Sequence, residues 1–246
     1  MEEIVFFETV LATLQTLINF IAWAIVIFYL MGRIPWVKNF IYKKEYSKRE
    51  KIGLILVFGF LGILASEYGL PLIGVTVNIR DCITILAGIL GGPAVGIGAG
   101  LISGLYRLTG LWWQGWTGSL GYWSAVGGTL GTIGAGLLGA WLSKYKNINI
   151  RTLNGNKIGT VALSTFCWEV IHIETIVPLT ASLYTEKTII WAMETLFRDV
   201  LLPMTIANVL GIVLFLFVAW DIFLRREVEI ALEEIKKEEE KENNKI

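Results

Sequence analysis

Charged residues are scarce in this 246-residue chain, at 17% of the total, whereas soluble domains carry about 25%. This shortage argues against a soluble enzyme. The formal net charge is zero, so no basic field favours nucleic acid as a partner. There is one histidine, and the two cysteines, Cys82 and Cys167, match neither a disulfide scaffold nor a metal motif. We therefore expect no cofactor and no resident metal.

Long apolar runs occupy most of the chain. Hydrophobic residues make up 54%, and 26 Gly and 10 Trp are present, two residue types that are enriched in membrane proteins. Crossing a hydrocarbon core of about 30 Å takes about 20 helical residues. Apolar runs with at most one charge cover residues 4–31, 52–66, 82–106, 108–143 and 200–220, and residues 158–184 are apolar except for Glu169, His172 and Glu174. The sequence predicts an all-α integral membrane protein with about six to seven transmembrane helices in the plasma membrane. We expect two parts, a polytopic domain over residues 1–221 and a short charged cytoplasmic helix or tail over 222–246.

Lysine and arginine are concentrated in three polar segments, which predicts the orientation. Residues 31–51, 143–157 and 221–246 hold 17 of the 21 basic residues. Cytoplasmic loops are enriched in these residue types, so the N-terminus is expected outside and the C-terminus inside. The chain is then outside near Arg80 and inside at Lys144, and it must cross the membrane an odd number of times between them.

A Gly-Gly-Pro sequence, Gly91-Gly92-Pro93, lies in the middle of the second apolar run. Glycine commonly ends a helix and proline commonly starts one. The sequence therefore predicts a short helical hairpin, as two spans or as a re-entrant segment, with Arg80 and Arg107 on the same outer side. The alternative is one broken helix over residues 79–107, which would carry Arg107 to the inner side.

Small residues recur every four positions in two neighbouring segments. They are Gly88, Gly92, Gly96, Gly100 and Gly104, followed by Gly127, Gly131, Ala135 and Gly139. This spacing lets helix backbones approach closely in lipid. Helices with few side chains can also leave a cavity at one end.

Glu169 and His172 are ionisable residues near the middle of a predicted span. They are three residues apart and share a helix face. Ionisable groups at this depth are costly and indicate function by default. The spacing also matches half of a di-iron site, but the chain has no second histidine. We expect the pair to hydrogen-bond each other or a neighbouring polar group rather than a metal, either for structure or for contact with a ligand or proton.

Arg80 and Arg107 flank the predicted hairpin, and a guanidinium suits a carboxylate bidentately. The alternatives are a snorkelling side chain at the interface and neutralisation of Arg80 by Asp81. We favour a ligand carboxylate, because Asp81 adjoins Arg80 and is expected to point away from it. Trp112 belongs to a tryptophan-rich segment that is either an interfacial belt or a wall over the pocket.

Several of these motifs resemble the transmembrane sensor domain of LytS-type receptors, the five-transmembrane LytS-type receptor family. They are Asn78-x-Arg80, Gly91-Gly92-Pro93, Gly104-Leu105-Tyr106-Arg107, Glu169-x-x-His172 and Leu202-Pro203-x4-Asn208. The resemblance covers roughly residues 50–222. It implies a membrane sensor, not an enzyme, that binds a small extracellular ligand such as a carboxylate. The resemblance implies Arg80 and Arg107 as the ligand-binding arginines. We expect Asn78, Trp112, Glu169, His172 and Asn208 as further ligand-binding residues.

The family is usually fused to a histidine kinase or a diguanylate cyclase. Residues 222–246 contain no catalytic motif, so we expect signalling to a separate partner such as a histidine kinase, with a homodimer as a further expectation. The alternative function is transport. Glycine-rich, proline-broken membrane helices are also similar to the substrate-binding membrane subunit of energy-coupling-factor transporters.

Overall fold

The computed structural model describes residues 2–72, 75–113, 119–184 and 189–243. Nearly all of them are helical. The helices in chain order are α1 (Glu2–Met31), α2 (Pro35–Tyr42), α3 (Lys48–Glu67), α4 (Arg80–Gly91), α5 (Pro93–Trp113), α6 (Ser119–Tyr145), α7 (Gly155–Ile171), α8 (Val177–Tyr184), α9 (Ile189–Leu196) and α10 (Leu202–Asn243). A short antiparallel pair, β1 (Leu70–Leu72) and β2 (Val75–Val77), precedes α4.

Two π-helical turns and a single 3₁₀ turn complete the described elements. The π-turns, His172–Ile176 and Phe197–Leu201, join α7 to α8 and α9 to α10. The 3₁₀ turn, Ile150–Thr152, lies between α6 and α7. The fold is thus helical apart from one three-residue strand pair within the described ranges.

Four helical stretches among the described residues are long and apolar enough to cross a membrane. They are Val10–Met31, Ala125–Tyr145, Gly155–Thr180 and Ile189–Lys241. The prediction of an all-α membrane protein therefore holds, but the count of six to seven membrane helices is not confirmed. Helix α4 has 12 residues, or about 18 Å at 1.5 Å per residue, which is short for a complete crossing.

The chain reverses at Gly92, as the Gly-Gly-Pro sequence predicts. Gly92 has φ of 81°, a left-handed conformation that favours glycine, and Pro93 begins α5. The two arms lie side by side, because a Cβ placed on Gly96 would be 2.7 Å from the Cα of Gly88. The alternative of one broken helix over residues 79–107 is therefore wrong.

Helix α6 packs directly on this hairpin through its glycines. A Cβ on Gly88 would lie 2.5 Å from the backbone carbon of Gly139, and one on Gly136 would lie 2.3 Å from the carbonyl oxygen of Gly96. The helix backbones are therefore in contact, as the four-residue spacing of small residues predicts. This close approach brings polar side chains of α3, α4 and α6 together at one end of the hairpin.

Helix α10 continues without a break past the expected boundary at residue 222. It has 42 residues, or about 63 Å at helical rise. Its first half is buried against α1, α4 and α7, with Ile212 and Leu216 fully covered. Its second half exposes an apolar stripe that consists of Val228, Leu232 and Ile235. The last apolar segment and the charged tail therefore form one continuous helix.

Candidate functional site

Arg80 is the first residue of α4, and its guanidinium is buried between α3 and α6. The residue is 2% exposed. Its Nε donates to Thr132 Oγ1 at 2.5 Å, its Nη1 to Ser66 Oγ at 3.0 Å and its Nη2 to the Gly128 carbonyl at 3.0 Å. All three acceptors are neutral oxygens. Arg80 therefore faces the protein interior and does not snorkel to the membrane interface.

Arg107 of α5 lies beside Arg80 at the same end of the hairpin. It is 5% exposed. A Cβ placed on Gly128 would be 3.2 Å from Arg80 Nη2 and 3.9 Å from Arg107 Cγ, so both side chains pass the same glycine of α6. The predicted placement of the two arginines on one side of the hairpin is confirmed. Two like charges at a buried position repel each other strongly, because the effective dielectric constant there is low.

Asp81 belongs to this site, contrary to the expectation that it points away from it. Its Oδ2 hydrogen-bonds to His172 Nδ1 at 2.8 Å, and its Oδ1 accepts from Thr132 Oγ1 at 3.1 Å. Asp81 and His172 are both buried. Thr132 also accepts from Arg80, so one hydroxyl links the guanidinium to the carboxylate. Asp81 is connected to Arg80 through Thr132 rather than by a direct ion pair of the kind the sequence suggested.

Glu169 lies one helical turn before His172 and is fully buried. Its two carboxyl oxygens have no hydrogen-bond partner among the described residues. The predicted hydrogen bond between Glu169 and His172 is therefore wrong. The alternative prediction, a bond to a neighbouring polar group, is confirmed for His172 but not for Glu169. The reason is that Asp81 of α4 takes the hydrogen bond of His172 Nδ1, while the other side of the ring lies against α6 at Gly131.

The His172 ring rests on the backbone of α6 at Gly131. A Cβ placed on Gly131 would be 2.0 Å from Nε2 and 2.1 Å from Cδ2. Glycine is required here because any other residue would occupy the space of the ring. The contact leaves Nδ1 facing Asp81.

Asn78 and Asn208 organise the start of α4. Asn78 Oδ1 accepts from the backbone N–H of Arg80 at 3.0 Å. Asn208 of α10 accepts from the Cys82 N–H at 2.9 Å and donates to the Asn78 carbonyl at 3.0 Å and the Met204 carbonyl at 3.1 Å. These bonds hold the first turn of α4 against α10. Both asparagines therefore position Arg80.

The site as a whole is a buried polar cluster at the junction of α3, α4, α5, α6, α7 and α10. The family model described as 5TMR of 5TMR-LYT matches residues 34–222, which include every member of this cluster. The chain belongs to the 5TMR-LYT family. This family is the membrane sensory region of LytS-type histidine kinases.

Three curated relatives of this 5TMR-LYT chain are sensor proteins. The sensor histidine kinase BtsS of Escherichia coli (strain K12) is 28% identical over 220 residues, which cover 87% of this chain and 34% of the relative. The sensor protein LytS of Oceanobacillus iheyensis is 26% identical over 145 residues, 52% of this chain and 23% of the relative. The sensor histidine kinase YpdA of Escherichia coli (strain K12) is 32% identical over 83 residues, 34% of this chain and 14% of the relative. The chain thus matches about a third or less of the length of these relatives. No solved structure gives a significant match.

The structure brings together most of the residues singled out from the sequence of this 5TMR-LYT chain, and it adds three. Arg80, Arg107, Glu169 and His172 meet in one cluster, with Asn78 and Asn208 behind Arg80. The side chain of Trp112 lies outside the described residues. Sequence reasoning missed Ser66 and Thr132 and misplaced Asp81. A polar residue inside an otherwise apolar helix is the signal that marks Ser66 and Thr132.

Proposed function

We propose that this 5TMR-LYT chain is a membrane sensor that binds a small extracellular carboxylate between Arg80 and Arg107. In this proposal the chain binds its ligand without transforming it. Helix α10 carries the signal to a cytoplasmic output module, for which a histidine kinase is the natural class. The observation that carries the proposal is the pair of buried arginines beside Gly128.

The hydrogen bonds of Arg80 support this proposal. A guanidinium has five N–H groups. The bonds to Thr132, Ser66 and Gly128 use three of them. The remaining two, one on each terminal nitrogen, suit a carboxylate, since an arginine binds this group with two parallel bonds. An anion at this position also offsets the repulsion between Arg80 and Arg107.

In this proposal, Asn208 transmits a movement at the ligand-binding arginines to helix α10. It joins the first turn of α4 to α10, and α10 extends unbroken to Asn243. A ligand that moves Arg80 also moves this turn, because the asparagine bonds follow the α4 backbone. We therefore expect the cytoplasmic half of α10 to shift when the ligand binds.

The proposal requires the pocket to open to the outside, with the N-terminus outside and the C-terminus in the cytoplasm. Single cysteines at Lys38 and Arg151, in a chain without Cys82 and Cys167, test this orientation. We expect a membrane-impermeant maleimide to label both positions only after permeabilisation. A cysteine at Lys187 is the matched control and should be labelled in intact cells. Labelling of position 38 or 151 in intact cells contradicts the orientation.

Ligand binding is tested with the purified full chain in detergent or nanodiscs. Thermal unfolding is measured with a panel of linear mono- and dicarboxylates of two to six carbons. A ligand at 100 times its Kd stabilises the folded state by about 2.7 kcal/mol. We expect one class of carboxylate to raise the unfolding midpoint, Arg107→Gln to abolish the rise, and Arg107→Lys to keep part of it, because lysine retains the charge but not the fork.

Arg49→Gln is the control variant for this experiment, since it removes an exposed arginine at the start of α3. It should respond to the ligand as the unchanged protein does. Binding of a neutral, vitamin-like molecule with undiminished affinity in Arg107→Gln contradicts the carboxylate proposal. That result would favour the transporter subunit instead.

A further inference from the structure

Asp81, Glu169 and His172 form a compact set of metal-ligand atoms below the arginines. One ligand atom from each of the three side chains lies within 4.8 Å of the others. Zinc holds nitrogen and oxygen ligands at about 2.0–2.2 Å, which places them roughly 3.3 Å apart in a tetrahedron. Binding of one ion would therefore bring these atoms closer by up to about 1.5 Å and would replace the hydrogen bond between His172 Nδ1 and Asp81 Oδ2. The three residues come from α4, α7 and the π-turn, so the protein interior already orients them.

Glu169 is the observation that points to a bound ion. A buried carboxylate that lacks a partner is unfavourable, and neither of its oxygens has one among the described residues. The nearest guanidinium, that of Arg80, is bonded to neutral oxygens. A cation between Glu169 and Asp81 would satisfy the free oxygens and remove the repulsion between the two carboxylates.

The surroundings of the three side chains resemble the outer shell of a metal site. Ligating carboxylates and imidazoles are usually held by further hydrogen bonds and contacts. Thr132 donates to the second oxygen of Asp81, and Gly131 fixes the plane of the His172 ring. One imidazole nitrogen with two carboxylate oxygens suits zinc and its neighbours better than magnesium or calcium, which prefer oxygen ligands alone.

The sequence favoured a hydrogen bond over a metal, but the structure adds Asp81 as a third ligand. We propose that Asp81, Glu169 and His172 bind one divalent transition-metal ion, with Zn²⁺ as the probe. This site adjoins the proposed carboxylate pocket through Thr132, but zinc binding can be measured without the carboxylate. The ion would neutralise the two carboxylates and leave the positive charge of Arg80 and Arg107 for an anionic ligand. Three protein ligands leave a fourth position for water.

Calorimetry and elemental analysis of the purified full chain test the site. The protein is treated with a chelator, dialysed without any carboxylate ligand, and titrated with ZnCl₂. We expect one zinc per chain. Glu169→Gln should abolish this binding, because an amide is a poor ligand for zinc. Thr132→Val should weaken it by about 10–100-fold, as is typical when an outer-shell partner is removed.

Glu174→Gln is the matched control. Glu174 lies in the π-turn with His172, is partly buried and also has an oxygen with no partner in the described part of the chain. It should bind zinc with unchanged affinity. Failure of the unchanged chain to take up stoichiometric zinc overturns the proposal, whatever the variants do. Equal loss of zinc in Glu169→Gln and Glu174→Gln also overturns it. Because no carboxylate is present, neither outcome affects the proposed sensor function.

Discussion

Replacing Gly131 with alanine tests how the His172 ring is held in the site. The added Cβ would lie 2.0 Å from Nε2. Unbonded carbon atoms approach to about 3.5 Å, so the ring must retreat by roughly 1.5 Å. A movement of this size disrupts the 2.8 Å bond between His172 Nδ1 and Asp81, either by stretching it or by forcing its atoms together.

The expected cost of Gly131→Ala has two parts. Overpacking a filled interior costs about 1–3 kcal/mol. Loss of a buried hydrogen bond that leaves a polar group without a partner costs about 1–3 kcal/mol more. We therefore expect the free energy of unfolding to fall by about 2–6 kcal/mol. Gly159→Ala is the control, because a Cβ at Gly159 meets nothing within 4 Å.

A double-mutant cycle with His172→Ala isolates the contact. Once the ring is absent, alanine at position 131 has room, and its higher helix propensity favours the substitution by up to about 1 kcal/mol. The two substitutions should then be strongly non-additive, with a coupling energy of at least about 2 kcal/mol. Unfolding in mixed detergent micelles, followed by tryptophan fluorescence, gives the four free energies. Additive effects, or a Gly131→Ala variant as stable as Gly159→Ala, would refute the placement of the ring.

Three further predictions concern packing, the start of α4 and pH. Gly88→Ala should lower the free energy of unfolding by about 1–3 kcal/mol, because its Cβ would meet the α6 backbone at 2.5 Å; Gly53→Ala, which faces open space, should not. Asn208→Leu should cost about 1–3 kcal/mol and speed hydrogen exchange in the first turn of α4, since two buried backbone groups lose their partner. The hydrogen bond from Lys43 and those with the Ser47 cap lower the pKa of Glu50 from 4.5 to about 2. The stabilisation by this carboxylate should therefore be complete above pH 4.5 and be lost as the pH falls through about 2. A carboxyl chemical-shift titration checks the pKa, and Glu50→Gln should remove this pH dependence of stability.

The hairpin and its two arginines could be predicted from the sequence because they depend on local signals. Glycine followed by proline ends one helix and starts the next, whatever surrounds them. The chain must cross the membrane an odd number of times between Arg80 and Lys144, and the helix before Lys144 supplies one crossing. The segment between the arginines must therefore enter and return, which places Arg80 and Arg107 on one side. The exact number of membrane helices could not be obtained in this way, because the hairpin arms are too short to distinguish a complete span from a partial one by length.

The hydrogen-bond partners inside the site could not be predicted in the same way. Asp81 and His172 are 91 residues apart, and their contact depends on how far α4 and α7 are rotated about their axes. Helical periodicity assigned Glu169 and His172 to one face, but the partner of His172 is Asp81 of α4, which no spacing within α7 predicts.

Composition and spacing alone establish that the chain is a helical membrane protein, where its helices reverse and which charged residues are exceptional, because the bilayer penalises polar groups wherever they occur. The packing of the helices adds that Asp81 pairs with His172 and that Thr132 links Arg80 to Asp81. It also leaves both carboxyl oxygens of Glu169 without a partner among the described residues. These relations are set by the approach of α6 to the hairpin, where glycine at position 131 makes room for an imidazole. This approach depends on how the surfaces of two helices pack together, so it cannot be predicted from either segment of sequence alone.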